Sequence, residues 1–317
     1  MSNTRFPTFA DIEAAAQRIA RHAHRTPVRR SRSLDALAGA ELHFKCENLQ
    51  RSGAFKFRGA CNAVWSLPAE VAARGVVTHS SGNHGAALAL AARTRGIPAH
   101  VVVPEGAVKS KLAAILAYGA TLHRCAASMA AREAGAEAVR AATGATLVHP
   151  YTDPAVIAGQ GTAALELLIE TGPLDALVVP IGGGGLAAGS AIVAQALHPG
   201  MLVLAAEPAG AADAAASLAR GKRVTDGIPD TLCDGLRGTL GAINFAILRE
   251  HAIEVLTVDD VDTIAAMRLV FERLKLVVEP SAAIALAAVL AQRERLDGYR
   301  IGVLLSGGNV DLDALPW

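Results

Sequence analysis

The lysine with the most unusual surroundings is Lys56, which lies between two phenylalanines in the stretch RSGAFKFRGA (51–60). On a protein surface, such a lysine would extend its ammonium group into water while the phenylalanines pack inward. Among apolar side chains its pKa would fall, because burial disfavours the charged form, and the neutral amine could form a Schiff base with a carbonyl carbon. This stretch alone leaves both interpretations open.

Four consecutive glycines at 182–185 could hold a phosphate group. They follow an apolar segment, VVPI, and precede a helical pattern, so backbone N–H groups and the positive end of a helix dipole would face an anion together. The same segment fits the dinucleotide-binding pattern G-x-G-x-x-A at Gly183, Gly185 and Ala188, with Glu207 about 20 residues further on. A nicotinamide-dependent oxidoreductase is therefore an alternative, although it leaves the bracketed lysine without a role.

Two further glycine loops carry polar side chains. The stretch THSSGNHG (78–85) concentrates hydroxyl, amide and imidazole groups just before a helical pattern, where free N–H groups favour a carboxylate. In LSGGNVDL (305–312), Ser306 ends a predicted strand. Because the carboxyl ends of parallel strands meet at one edge of a sheet, we expect the three glycine loops to form one ligand site.

The segments that position these loops alternate between short β-branched runs and alanine-rich stretches of helical period, which is typical of βαβ units in an α/β fold. Most of the strands are apolar throughout, which indicates parallel sheets covered by helices on both faces. Helices are predicted at 84–96, 108–119, 128–144 and 154–172. The eight predicted strands are residues 75–80, 99–104, 120–125, 145–150, 175–180, 201–207, 253–258 and 301–306.

The composition is that of an ordered globular protein, with 52% hydrophobic and 19% charged residues in a chain of 317. The net charge is +1 and the basic residues are scattered, so we expect no nucleic-acid partner. No apolar run has membrane-spanning length and the N-terminal sequence has no secretion signal, so we expect no membrane partner and a cytoplasmic location. The four cysteines are widely spaced without a CxxC pair, which argues against disulfides and a structural zinc site.

Taken together, SGAFKFRGA, SSGNHG, PIGGGGLAAG and LSGGNVDL, in this order, resemble the fold type II pyridoxal-phosphate enzymes, and among them the serine racemase and serine/threonine dehydratase group. The resemblance implies an α/β fold like that of tryptophan synthase β, with two open, twisted, parallel-rich sheets flanked by helices. It implies a large cofactor-binding domain formed by residues 1–73 and 152–317, and a small domain formed by residues 74–151. It also implies pyridoxal 5′-phosphate as cofactor and a homodimer.

The resemblance assigns a role to each loop. It implies that Lys56 holds the cofactor covalently and later removes the substrate α-proton, and that Ser81 matches the serine that protonates the opposite face in racemases. It implies that Phe55 packs on the pyridine ring, that Asn83 bonds the ring 3′-oxygen and that Ser306 faces the ring nitrogen. It implies that the cofactor phosphate binds Gly182, Gly183, Gly184 and Gly185. It implies that the substrate carboxylate binds Ser80, Ser81, Gly82, Asn83 and His84.

Glu207, Ala211 and Asp213 match the divalent-cation site of the family, with the alanine supplying a backbone carbonyl. Hard oxygen ligands of this kind suit Mg²⁺, with Ca²⁺ or Mn²⁺ as substitutes. The alternative is that the two acidic residues are solvated near a helix start.

The reaction that the resemblance implies is that of an ammonia-lyase, or dehydratase, which converts a small-molecule β-hydroxy amino acid such as serine or threonine to a 2-keto acid and ammonia. An amino-acid racemase shares every residue named above and is the alternative. Tyr151 stands where serine racemases have a sequence like HPN, which favours the dehydratase. Arg132 lies where the family can bring an arginine to the pocket, which makes 3-hydroxyaspartate a candidate substrate; a solvated helix arginine is the other interpretation.

Overall fold

The computed structural model describes residues 5–107 and 109–317, which contain the following strands and helices. The strands are β1 (Val28–Arg29), β2 (Glu41–Cys46), β3 (Val76–Thr78), β4 (Ala99–Pro104), β5 (Thr121–Cys125), β6 (Thr146–Leu147), β7 (Ala176–Pro180), β8 (Leu202–Pro208), β9 (Glu254–Val258) and β10 (Arg300–Leu305). The α-helices are α1 (Phe9–Ile19), α2 (Arg32–Ala38), α3 (Lys56–Ser66), α4 (Ala69–Ala72), α5 (Asn83–Arg95), α6 (Lys109–Ala117), α7 (Met129–Thr143), α8 (Pro154–Thr171), α9 (Gly185–Leu197), α10 (Asp213–Arg220), α11 (Ala242–Glu250), α12 (Asp260–Leu269) and α13 (Pro280–Ala291).

The strands form two sheets. The larger sheet has the order β1-β2-β10-β7-β8-β9, in which only β1 runs antiparallel to its neighbour. The smaller sheet has the order β5-β4-β3-β6 and is parallel throughout. The prediction of an α/β fold with two parallel-rich sheets flanked by helices is therefore confirmed. The division into two domains at the predicted boundaries stays a prediction.

Each of the eight predicted strands corresponds to one of β3 to β10, whereas the prediction missed β1 and β2. In β2 the residues Glu41, His43 and Lys45 break the apolar pattern, yet all of this strand except Glu41 is buried. Lys45 can be buried there because carboxylate and carbonyl oxygens accept its N–H groups. The four predicted helices correspond to α5 to α8, and residue 108, where one of them was expected to begin, lies outside the described residues.

Helices α3 and α8 pack so closely that only glycine fits between them. A Cβ atom on Gly159 would lie 2.6 Å from the Cα of Gly59, and one on Gly59 would lie 2.7 Å from the carbonyl oxygen of Val156. Helix α8 itself begins at Pro154, with the Asp153 carboxylate accepting the N–H group of Ala155 at 2.8 Å. The close packing of α3 against α8 fixes the position of α3, whose first residue is Lys56.

The four cysteines are free, and Cys46, Cys61 and Cys233 are buried, as expected for reduced cysteines that pack as small hydrophobic side chains. None of the helices in the described residues has the length and apolar character needed to cross a membrane.

Candidate active site

A cleft of about 270 Å³ brings together the three predicted glycine loops and the bracketed lysine. Its volume is close to the lower end of the ~300–1,000 Å³ typical of small-molecule sites. The predicted residues that line it are Phe55, Lys56, Ser80, Ser81, Gly82, Asn83, His84, Gly182, Gly183, Gly184, Gly185 and Ser306. The sequence-based expectation that these loops meet is therefore correct, whereas Glu207, Ala211 and Asp213 lie elsewhere.

Lys56 is the first residue of α3, and its amine lines the cleft. The Nζ atom donates to the backbone oxygen of Pro150 at 3.1 Å and lies 5.1 Å from the centre of the Phe55 ring. Burial lowers the pKa of Lys56 to about 8, although the carboxylate of Glu279 acts in the opposite direction. The structure thus favours the reactive-amine interpretation over a lysine that extends into water.

The chain just before Lys56 is clamped against the loop that follows β10. Ser52 and Gly53 adopt left-handed conformations with φ of 59° and 76°. Asn309 donates from Nδ2 to the oxygen of Ser52 at 2.8 Å, and a Cβ atom on Gly53 would lie 2.2 Å from Asn309 Oδ1. The N–H group of Phe55 donates to the oxygen of Ser306 at 2.9 Å. These contacts fix where α3 begins, and therefore the position of the amine.

A buried ionic cluster, formed by Arg58, Glu47, Glu166 and Lys45, holds the other side of this turn. Arg58 donates to Glu47 at 2.7 and 2.8 Å and to Glu166 at 2.7 and 2.8 Å. Lys45 donates to Glu166 at 2.7 Å, and Thr26 to Glu47 at 2.5 Å. The two positive and two negative charges balance, so the cluster can lie behind the cleft without an uncompensated buried charge. Sequence reasoning missed it because its members are far apart in the chain.

The tetraglycine loop has the shape of an anion cradle. Gly184 has φ of 89°, which favours glycine, and precedes the first turn of α9. Cβ atoms on Gly182 and Gly183 would lie 2.8 Å from Leu236 Cα and 2.4 Å from Tyr151 Cγ, so larger residues do not fit. The helix start leaves N–H groups without partners inside the helix. A phosphate fits this combination of bare backbone and helix dipole.

The loop at 80–84 is tied through Asn83 to Glu279, the residue before α13, and to the loop that follows β10. The Nδ2 atom of Asn83 donates to the two oxygens of Glu279 at 2.9 and 3.1 Å, and its Oδ1 atom accepts from Asn309 at 3.0 Å. Glu279 is only 4% exposed and lines the cleft. Sequence reasoning assigned Glu279 no role, although a glutamate between two valines and a proline, in the stretch VVEPSAA, was a usable signal.

Ser306 is buried at the floor of the cleft, where its hydroxyl donates to the backbone oxygen of Ser281 at 3.2 Å. A serine hydroxyl can both donate and accept, and it rotates to suit its partner. Its position suits a neutral ring nitrogen, because a hydroxyl does not force the nitrogen to be protonated as a carboxylate would.

Three histidines on the smaller-sheet side of the cleft are uncharged at neutral pH. Burial lowers the pKa of His149 to about 3, with His79 and Lys56 adding to the effect. Burial also lowers the pKa of His79, and lowers that of His84 well below its usual value. His149 accepts the N–H groups of Tyr151 and Thr152 on Nδ1 at 3.3 and 3.1 Å, which fixes its tautomer.

Tyr151 packs against the tetraglycine loop. Its ring lies edge-on to His149, with the centroids 4.6 Å apart, and contacts Gly183 so closely that no side chain could be added there. Asn244 donates to the backbone oxygens of Tyr151 and Gly183 at 2.8 and 2.5 Å. Tyr151 therefore shapes the wall beside the predicted phosphate position.

Arg132 lines the cleft from α7. Its Nε atom is buried and has no hydrogen-bond partner among the described residues, while Nη2 donates weakly to the oxygen of Ala127 at 3.5 Å. A buried guanidinium N–H group without an acceptor is costly in the absence of a ligand. This position suits an anionic group on a bound molecule.

The predicted metal ligands lie next to a second cavity, which Ala211 and Asp213 line. Glu207 accepts the N–H groups of Ala214 and Ala215 at 2.7 and 2.8 Å, so both of its oxygens cap α10. Burial raises the pKa of Glu207 to about 7; the two N–H groups lower it, and neighbouring Asp213 raises it. A buried carboxylate beside a half-buried one suits a hard cation, although no cluster of three or more metal-binding side chains occurs in the described part of the chain.

Comparison with known proteins places these features in context. A family model described as pyridoxal-phosphate dependent enzyme matches residues 19–307. A serine racemase of Arabidopsis thaliana is 51% identical over 309 residues, covering 96% of this chain and 93% of the relative. A β-hydroxyaspartate dehydratase of Paracoccus denitrificans is 47% identical over 311 residues, covering 98% and 99% of the two chains. The structure of maize serine racemase matches with a TM-score of 0.94 and 45% identity, covering 98% of this chain and 95% of that one.

Proposed function

The chain belongs to the pyridoxal-phosphate dependent enzymes, in the group of serine racemases and hydroxyaspartate dehydratases, and on that premise we propose that it is an ammonia-lyase acting on a β-hydroxy amino acid. The observation that carries the proposal is the Lys56 amine of lowered pKa, which faces a cleft also lined by an anion cradle and by Arg132, whose Nε atom has no acceptor among the described residues. Membership of this family removes the nicotinamide-dependent alternative. That the enzyme is a cytoplasmic homodimer stays a prediction.

The cleft residues fit pyridoxal phosphate. Gly182 to Gly185 would hold the phosphate, Phe55 and Ser306 would contact the ring, and Asn83 would hold the ring oxygen. When bound, the cofactor supplies a carbonyl carbon that links to an amine and a ring that accepts electrons from the substrate α-carbon. Glu279 supports this arrangement by keeping the Asn83 amide in one orientation.

Lys56 is proposed to act as both the linking amine and the base that removes the α-proton. A general base works best when its pKa is near the working pH, and a pKa of about 8 meets that condition. The oxygen of Pro150 holds the Nζ atom in place at 3.1 Å, and the uncharged His84 and His149 place no permanent positive charge beside it.

We propose that the preferred substrate carries a second carboxylate, as 3-hydroxyaspartate does. The substrate α-carboxylate would bind the loop from Ser80 to His84 at the start of α5, which leaves Arg132 for the carboxylate of the side chain. The dehydratase of Paracoccus denitrificans is named for a substrate of this class, which supports the proposal. Loss of the β-hydroxyl as water, followed by hydrolysis of the released imine, would give a four-carbon keto diacid and ammonia.

Racemisation is the second candidate function, because serine racemases are equally close relatives and Ser81 lines the cleft. A racemase needs a proton donor on the face of the substrate opposite the lysine, and a serine hydroxyl could serve. The same geometry therefore accommodates both outcomes at the α-carbon.

We also propose a divalent cation, Mg²⁺ or in its place Ca²⁺ or Mn²⁺, at Glu207, the carbonyl of Ala211 and Asp213. The cation would neutralise the buried carboxylate of Glu207 and the half-buried carboxylate of Asp213, and water would complete its coordination. Its binding is expected to raise the melting temperature of the holoenzyme. A melting temperature that does not respond to Mg²⁺ after chelator treatment would contradict this assignment.

The proposal is tested by incubating the holoenzyme separately with L-serine, L-threonine and threo-3-hydroxyaspartate and measuring keto acid. We expect activity that Lys56→Ala abolishes and that Lys222→Ala, a change at an exposed lysine, preserves. Arg132→Met should lower kcat/KM for 3-hydroxyaspartate by at least tenfold more than for serine, whereas Arg140→Met on the exposed side of the same helix should not. Equal losses for both substrates in Arg132→Met would remove the diacid from the proposal.

A further inference from the structure

Two histidines, His100 on β4 and His123 on β5, meet on the surface of the smaller sheet. His100 Nδ1 and His123 Nε2 lie 3.1 Å apart, and the ring centroids lie 5.3 Å apart. Both side chains are half-buried, so solvent reaches the pair. The strand register pairs His100 with Thr121 and Val102 with His123, so the two histidines lie diagonally across neighbouring parallel strands. These two residues, here called the histidine pair, do not line the active-site cleft.

The separation of the two nitrogen atoms matches the distance between two ligands of one metal ion. With metal–nitrogen bonds of about 2.05 Å, two neighbouring ligands lie about 2.9 Å apart at a 90° angle and about 3.3 Å apart at the tetrahedral angle. The observed 3.1 Å falls between these values. The ring planes are tilted by 49°, so rotation about the terminal side-chain torsions, which are broad for histidine, is needed to direct both lone pairs to one point.

The tautomers of the two rings can also adapt to a metal. In the unliganded pair one ring donates its N–H group to the other, and a change of tautomer moves that proton to the far nitrogen of its own ring. Both facing nitrogens then become acceptors, as metal ligation requires.

We propose that the histidine pair is a second metal site, for a borderline divalent d-block cation such as Zn²⁺, Ni²⁺ or Cu²⁺. Imidazole ligands favour these ions, whereas Mg²⁺ and Ca²⁺ prefer oxygen. No third histidine, cysteine or acidic side chain among the described residues completes the coordination, so water fills the other positions. The ion links the edge strand β5 to β4. Its histidine nitrogen ligands differ from the oxygen ligands at Glu207 and Asp213.

Titration of the untagged holoenzyme with Ni²⁺, in buffer containing excess Mg²⁺ to fill the oxygen-ligand site, tests the proposal by calorimetry. We expect one Ni²⁺ per chain at this site, with its affinity reduced at least tenfold in His100→Asn and in His123→Asn. His251→Asn is the matched control, because His251 is a half-buried histidine outside the pair, and it should bind Ni²⁺ as the wild type does. Unchanged binding in the pair variants, or no binding by the wild type, would overturn the proposal.

X-ray absorption at the nickel edge of the wild-type complex gives a second measurement that does not depend on the variants folding. Two imidazole nitrogens per nickel are expected at about 2.0–2.1 Å. A spectrum with only oxygen ligands, or with one imidazole, would show that the pair is a simple hydrogen bond between histidines and would overturn the proposal.

Discussion

The lowered pKa of Lys56 predicts how fast the apoprotein captures its cofactor at different pH values. Only a neutral amine attacks the carbonyl carbon of pyridoxal phosphate. With a pKa of about 8 in place of 10.5, roughly one amine in ten is neutral at pH 7, against roughly one in three thousand for an ordinary lysine. The capture rate should therefore rise about tenfold per pH unit up to pH 8 and then level off.

Stopped-flow absorbance of apoprotein mixed with pyridoxal phosphate measures this profile, with Nα-acetyl-lysine as the reference amine to correct for ionisation of the cofactor. A corrected profile that continues to rise toward pH 10.5 would refute the reasoning, because it would mean that Lys56 is solvated.

The pH dependence of apoprotein stability gives a second check on the lowered pKa of Lys56. Between about pH 8 and 10.5 the unfolded chain binds more protons at Lys56 than the folded chain, so apoprotein stability should rise with pH in that window. The rise should disappear in Lys56→Met.

Three further changes have defined outcomes. Gly183→Ala places a Cβ atom 2.4 Å from the Tyr151 ring and should weaken pyridoxal phosphate binding, measured by fluorescence titration; Gly200→Ala, with open space around it, should not. Arg58→Met leaves the buried Glu47 carboxylate without a cationic partner and Glu166 with Lys45 alone, and should lower the free energy of unfolding in urea by about 3–5 kcal/mol, whereas a loss within the error of the measurement would contradict the role of the ionic cluster. Glu279→Gln removes the carboxylate that raises the pKa of the cleft lysine, so the midpoint of its capture profile should move to lower pH; an unchanged midpoint would count against that effect.

Much of the framework could be predicted because parallel strands leave a strong local signal. Apolar β-branched runs separated by alanine-rich helices located β3 to β10, and the glycine loops at strand ends located the cleft. Strand β2 was missed because its lysine is buried by partners that lie far away in the chain, such as Glu166. Periodicity cannot reveal a polar residue whose burial depends on tertiary contacts.

The individual groups of the site were predictable where one short motif contains them and unpredictable where several segments combine. Lys56 and the four glycines each lie in one motif. The contact of Asn83 with Glu279 joins residues 196 positions apart, and the unpaired nitrogen of Arg132 is visible only once the surroundings of α7 are known. A single residue also does not decide between two related reactions. Tyr151 suggested a dehydratase, yet serine racemases are equally close relatives of this chain.

The most direct test of the proposed chemistry compares ammonia release with optical inversion in a single reaction. Wild-type holoenzyme is incubated with one stereoisomer of 3-hydroxyaspartate, and ammonia, oxaloacetate and the remaining stereoisomers are quantified together. The proposed lyase should release ammonia and oxaloacetate in equal amounts, well ahead of any inversion at the α-carbon. Inversion that exceeds ammonia release, with this substrate and with serine, would contradict the lyase and establish a racemase.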